Sequence, residues 1–271
     1  MELTTHMTFN PDAQLDPEPP NLILISSDQT EFHVHRGRLL IASSNLFNLL
    51  LIYPDPEINL AEGSELVTIF LHCIYEIPFT SQPSPDAIIV SFDVLKRYGI
   101  TLDRYIRPNT PLFQAALLPL DSQEYAMELY VQAAQNNLSE LAACASSALL
   151  SYSLATITDE LARRMGPIYL KKLFVLHTER SKALRHILST PPAAHPPTQE
   201  CGSEGRRRFL GDWDVVTANM VLTARPDTPV DTIRSIYTTI EPLLSCHECK
   251  TVLEAGVQQA ISDWERTPRT V

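Results

Sequence analysis

The chain has 271 residues, with 32 acidic and 21 basic side chains and a formal net charge of −11. A phosphate-tracking nucleic-acid surface is excluded, because its affinity comes from clustered Lys and Arg, and the one basic run here is Arg206-Arg207-Arg208. Apolar residues at 44% and charged residues at 20% are those of a folded globular chain, while 21 prolines against 8 glycines weigh against Gly-rich phosphate loops.

No window reaches the roughly 18 uninterrupted apolar residues of a membrane span, and the opening residues carry acids and prolines where a secretory signal needs a basic start and an apolar core. The expectation is an intracellular protein, in cytoplasm or nucleus. Its five cysteines are Cys73, Cys144, Cys201, Cys246 and Cys249. An odd number without a signal peptide implies reduced thiols and no disulfide framework.

Residues 1–20, with prolines at 11, 17, 19 and 20 and little apolar periodicity, are expected to form a disordered tail. Leu22 to Ile25 is a short apolar run, and Glu31-Phe32-His33-Val34-His35 alternates, so the two read as a hairpin across Ser26-Ser27-Asp28-Gln29. From Arg36 the spacing of Leu39, Ala42, Leu46, Leu49 and Leu50 predicts one helix face. Ile58-Asn59-Leu60 suits a third strand. Helices follow, one through Leu66, Ile69, Phe70, Cys73 and Ile74, and one from Pro85 to Tyr98 with Gly99 as a left-handed cap.

The remainder reads as helical. Asp121-x-x-Glu124 and Asn137-x-x-Glu140 are capping pairs ahead of apolar stripes. A helix from Asp159 is expected to stop at Gly166-Pro167, and another to carry Leu170, Leu173, Phe174, His177, Leu184 and Leu188. Residues 190–208 have four prolines and no periodic face, and so predict a flexible loop. Residues 209–271 return to helical spacing around Trp213, Ile233, Ile236, Ile240 and Trp264.

Cys246-His247-Glu248-Cys249 is the most conspicuous chemical motif, since two thiolates three residues apart can grip one tetrahedral metal. It supplies half a site. Cys201, His177, His186 and His195 are further donors, but none stands at ligand spacing, so the reading preferred is two thiols at a helix start, no bound metal or cofactor, and a fold that survives without either cysteine. A metal-binding or redox protein built on Cys246 and Cys249 is the alternative. His33 and His35 project from one side of a strand without a partner ligand, and His177 lacks a nucleophile motif beside it. No catalytic residue is assigned and no enzyme is expected.

Asn21 to Asp28, Phe32-x-Val34-His35-Arg36, Leu39 and Ser43-Ser44 closely resemble the opening of a BTB/POZ domain, and Leu95-Lys96-Arg97-Tyr98-Gly99-Ile100 resembles a later segment of that family. The resemblance implies an α+β fold, with a BTB/POZ-like domain of short strands and helices at 21–116 and an all-α helical extension at 117–189 that is similar to those following many such domains. It further implies a non-enzymatic adaptor or interaction module whose partner is a protein, either a second copy or a cullin-type ubiquitin-ligase scaffold, with neither nucleic acid nor membrane. Dimeric members pair an acid before the first strand with the basic residue held here by Arg36; this chain has Asn21 at that place. Because the helix from Arg36 is apolar beyond one stripe, Phe47, Leu51, Ile52 and Tyr53 are expected interaction residues, and the resemblance adds Arg36 as the family's basic residue at that step.

Overall fold

A computed structural model describes residues 3–199 and 201–271. The fold is α+β and divides into two compact units, one of residues 1–148 with 164–166 and one of 149–163 with 167–271. The division at 148/149 replaces the expected boundary at 116/117, so the first two helices of the anticipated extension belong to the first unit. No described helix is long and apolar enough to cross a membrane.

The sheet of the first unit is built on the hairpin of β2 (Leu22–Ile25) and β3 (Thr30–Val34). β2 and β3 run antiparallel with Leu22 opposite Val34 and Leu24 opposite Phe32, a register that sends all four apolar side chains into the core. β4 (Glu57–Asn59) adds parallel to β2 and buries Ile58. The fourth strand was not anticipated: β1 (Thr4–Thr5) lies parallel to β3, giving the order β1-β3-β2-β4.

That strand corrects the expected disordered tail over its described part; Met1 and Glu2 lie outside the described residues. Phe9 is fully buried against Phe32, His72 and Tyr75, and its carbonyl accepts from the His33 amide at 2.8 Å. Further along, Asp16 pairs with Arg38 at 2.6 Å, and the Glu18 carbonyl accepts from His35 Nε2 at 2.8 Å. One aromatic side chain and a few backbone bonds offset the ordering of this segment, and neither produces a periodic pattern in sequence.

α1 (Arg36–Ala42) is shorter than its apolar spacing suggests. Ser43, Ser44 and Asn45 compete for the backbone: Ser43 Oγ accepts from the Phe47 amide at 2.6 Å, and Asn45 Oδ1 from the Asn48 amide at 2.8 Å. The chain then makes a left-handed turn in which Leu46, Phe47, Asn48 and Leu49 have φ between 54° and 67°. Such a run costs about 1 kcal/mol per residue. It is offset by full burial of Phe47, stacked on Tyr98 at 4.3 Å, while Leu46 and Leu49 face outward.

α2 (Ser64–Tyr75) and α3 (Pro85–Arg97) pack on each other, and α2 also on α1. Gly99 takes φ 71°, and a Cβ there would lie 2.8 Å from the Asn45 amide nitrogen, so the left-handed cap expected from sequence also makes room for the turn. Buried Glu62 accepts from Arg97 and from the Tyr98 hydroxyl, which ties this corner together. α4 (Leu102–Tyr105), α5 (Pro111–Leu117), α6 (Gln123–Gln135) and α7 (Ser139–Ala148) complete the unit. α6 is capped by Ser122 Oγ, not by Asp121, and its Ala126, Ala133 and Tyr130 are fully buried, as are Leu141 and Ala145 of α7.

α8 (Asp159–Leu188) is broken where anticipated, at Gly166, whose φ 73° and ψ 164° are not helical. α9 (Ser203–Leu222), α10 (Val230–Ile240) and α11 (His247–Arg266) surround Leu184, Leu188, Trp213, Ile236, Val257 and Trp264 in the second unit. Both indoles find carbonyls, Trp213 on Leu188 at 3.0 Å and Trp264 on Thr228 at 2.9 Å. Arg180 is buried with them, over the Trp264 ring at 4.1 Å, donating to the carbonyls of Pro226, Thr267 and Pro268.

His72 and His6 are held neutral. Burial lowers the pKa of both from the ordinary 6.5, and for His6 the neighbouring His72 lowers it further. The unfolded chain therefore takes up protons first, so their contribution is complete above about pH 6.5 and is lost as pH falls below it. The denaturant midpoint is expected to drop on acidification through that range, and His72→Asn, which can keep the donor that meets the Ile77 carbonyl at 3.0 Å, is expected to flatten the drop. Equal pH slopes in variant and parent would contradict this.

Candidate functional site

The segment expected to be a flexible loop over 190–208 instead has a helical end, since α9 begins at Ser203, and an irregular part with two inward-facing donors. His195 and Cys201 are both buried. Thr198 and Cys201 close a turn on each other, the Thr198 amide donating to the Cys201 carbonyl and the Cys201 amide to Thr198 Oγ1, each at 3.1 Å. Opposite them stand Cys246, the N-cap of α11, and Cys249 in its first turn.

The fold thus brings two further donors to Cys246 and Cys249. One donor atom from each of His195, Cys201, Cys246 and Cys249 lies within 4.8 Å of every other, and all four residues are buried. His195 Nε2 is 3.2 Å from Cys249 Sγ and 3.6 Å from Cys246 Sγ; the sulfurs of Cys201 and Cys249 are 3.6 Å apart. His177 and His186 are not brought in: His177 is buried elsewhere on α8 and His186 is exposed.

His195 is oriented by its other nitrogen. Nδ1 lies 2.6 Å from the Pro196 carbonyl, which can only accept, so Nδ1 carries a proton and Nε2 is turned toward the sulfurs. The amides of Cys249 and then Glu248 lower the Cys246 thiol pKa, as expected at a helix N-terminus, whereas burial pushes that of Cys249 up to about 12. Two helix N-termini, of α9 and α11, adjoin the cluster and favour negative charge there.

Two glycines fit the irregular segment to the helices. A Cβ on Gly205 would stand 2.8 Å from Cys201 Sγ, and one on Gly256 only 2.6 Å from Pro192 Cβ. Gly211, inside α9, has open space. Gly211→Ala is therefore expected to stabilise the protein by up to about 1 kcal/mol through helix propensity, and Gly256→Ala to destabilise it by roughly 1–3 kcal/mol through overpacking. Thermal melts of the two variants check the opposite signs.

The expected interaction residues separate into two groups. Phe47 and Leu51 are core residues, 0% and 6% exposed, which corrects their assignment to a surface. Ile52 and Tyr53 are exposed, at 52% and 68%. Arg36 is half-buried and grips the following turn, donating to the carbonyls of Leu51, Tyr53 and Asp55, while its amide donates to Asn21 Oδ1 at 2.9 Å. Ile41, unremarked in the sequence because it falls off the helical stripe, is exposed on α1 together with Leu40. Leu46 and Leu49 add to the same outward-facing apolar set between residues 40 and 53.

Comparison of the chain with protein-family models, with curated proteins and with solved structures gives no match.

Proposed function

We propose that the chain is a non-enzymatic protein–protein interaction module, and that its first unit is a BTB/POZ-like domain that docks a protein partner. The observation carrying this reading is the exposed apolar set at Ile41, Leu46, Leu49, Ile52 and Tyr53, all within one α1-and-turn segment whose inward face is already filled by Leu39, Phe47 and Leu51. Large apolar side chains concentrated in this way are uncommon on a surface that only meets water. Support also comes from the element order, in which a hairpin bearing Phe32 and Val34 passes through His35 into α1, as the family resemblance implies.

His35 is the pivot of that step. Its Nε2 donates to the Glu18 carbonyl, which leaves Nδ1 to accept from the Tyr75 hydroxyl at 2.9 Å, and the same hydroxyl oxygen accepts from the His35 amide at 2.8 Å. The turn that presents Ile52 and Tyr53 is in turn held to α1 by Arg36. The surface is thus carried on a buried, fully bonded anchor, as a docking patch requires.

Partner candidates are a second copy of the chain and a cullin-type scaffold. Ile41→Asp and Tyr53→Asp are expected to leave the melting temperature nearly unchanged while abolishing self-association in sedimentation or capture of a purified cullin. Leu51→Asp is expected to behave differently and cost about 3 kcal/mol or more, because it places a charge in the core. Retention of every association by both surface variants would refute the proposed face.

A further inference from the structure

We propose that the second unit binds one zinc ion through Cys201 Sγ, Cys246 Sγ, Cys249 Sγ and His195 Nε2, as a closed structural centre. The donor set itself selects the metal. Three thiolates and an imidazole suit zinc, whereas magnesium and calcium take oxygen ligands. The separations agree. Metal–ligand lengths of about 2.3 Å to sulfur and 2.0 Å to nitrogen give a tetrahedron with edges of about 3.8 Å between sulfurs and about 3.5 Å between sulfur and nitrogen. Of the six edges, Cys201 to Cys249 is 3.6 Å and those from His195 to Cys249 and Cys246 are 3.2 and 3.6 Å, with the other three within 4.8 Å.

Three further features of the site point the same way. The imidazole has its Nδ1 proton engaged by the Pro196 carbonyl, which is how metal-ligating histidines are held by their surroundings. Gly205 leaves the space that the Cys201 sulfur occupies. Cys246 is the N-cap of α11, Cys249 lies in its first turn and Cys201 directly precedes the N-cap of α9, so a centre of one divalent cation and three thiolates, with net charge −1, sits at two positive helix ends. Binding releases the three thiol protons and leaves the imidazole neutral, which closes the charge balance.

A disulfide accounts for the cluster less well. All five cysteines are free, and any pairing among the three here would leave one thiol and the His195 lone pair without a role. Because all four tetrahedral positions are filled by protein, no position is open for substrate or activated water, and the role is structural. The ion would join two sequence-distant parts, pinning His195 and Cys201 onto the start of α11. In this the proposal differs from a folding role for Cys246 and Cys249 alone, since half the ligands come from the proline-rich segment.

The test uses the full chain, purified under reducing conditions. Elemental analysis is expected to find one zinc per chain. Titration of the chelator-stripped protein with cobalt is expected to give the visible ligand-field bands of a tetrahedral thiolate site. Cys249→Ser and His195→Ala should lose or shift those bands, His195→Cys should retain a tetrahedral site with four thiolates, and Cys144→Ser, which lies outside the cluster, should match the parent. Zinc removal should lower the melting temperature by roughly 10 °C or more and open the chain to trypsin at Arg206 to Arg208. If the ligand variants fail to fold, the cobalt titration of the parent decides alone. Absence of tetrahedral cobalt bands in the reduced parent, stoichiometric iron in place of zinc, or a native disulfide among Cys201, Cys246 and Cys249 by non-reducing mass spectrometry would each overturn the proposal.

Discussion

Buried polar atoms in the irregular stretches between helices set the terms on which both units hold together. Removing such an atom from water without a partner costs on the order of 1–3 kcal/mol, so each stretch that carries one must end in a specific bond. In the first unit buried Ser43 and Glu62 meet this requirement at one corner, with half-buried Asn45 beside them, where the turn after α1, the approach to α2 and the end of α3 converge. The Ser43 hydroxyl donates to the Tyr98 carbonyl at 2.7 Å, and the Asn45 amide group to that of Arg97 at 2.9 Å. The left-handed turn exists because these bonds outweigh continuation of α1, and it is this turn that puts Phe47 inside and Leu49 outside.

The second unit meets the same constraint twice along α11. At its start the thiols gather around the His195 imidazole; near its end buried Arg180 is shared among three carbonyls and the Trp264 ring. Burial lowers the Arg180 pKa to about 10, still well above neutrality, so the guanidinium stays charged and the carbonyl dipoles have to offset its lost hydration. Between these two ends the apolar stripe Leu253, Val257 and Ile261 requires only burial, and packs against α10.

Elements whose physics is local were legible in sequence. The hairpin followed from alternation at Phe32 and Val34, the break in α8 from Gly166-Pro167, and the left-handed cap from Gly99. What depended on distant partners was not. Leu46 and Leu49 fit a helical period that the hydroxyl of Ser43 cancels, and Phe9 gives no periodic signal because a lone aromatic finds its pocket in side chains more than twenty residues away. The candidate metal set was half legible: Cys246 and Cys249 share a helical turn, whereas Cys201 sits 48 residues from Cys249 and His195 54, separations that no ligand-spacing rule reads. Proline content pointed to flexibility across 190–208, yet a chain can be irregular and still be fixed by a few directional contacts.

The short strand β1 has a consequence out of proportion to its two residues. Thr4, His6 and Phe9 together engage the outer edge of β3, through the carbonyls of Gln29 and Glu31 and the amide of His33. Trimming residues 3–10 would leave that edge with a row of unpaired donors and acceptors, and would empty the depression among Phe32, His72 and Tyr75 that Phe9 fills. An uncovered strand beside an apolar hollow is a template for recruiting further chains edge to edge. The opening segment therefore acts as a cover, closing one edge of the sheet and filling the hollow beside it.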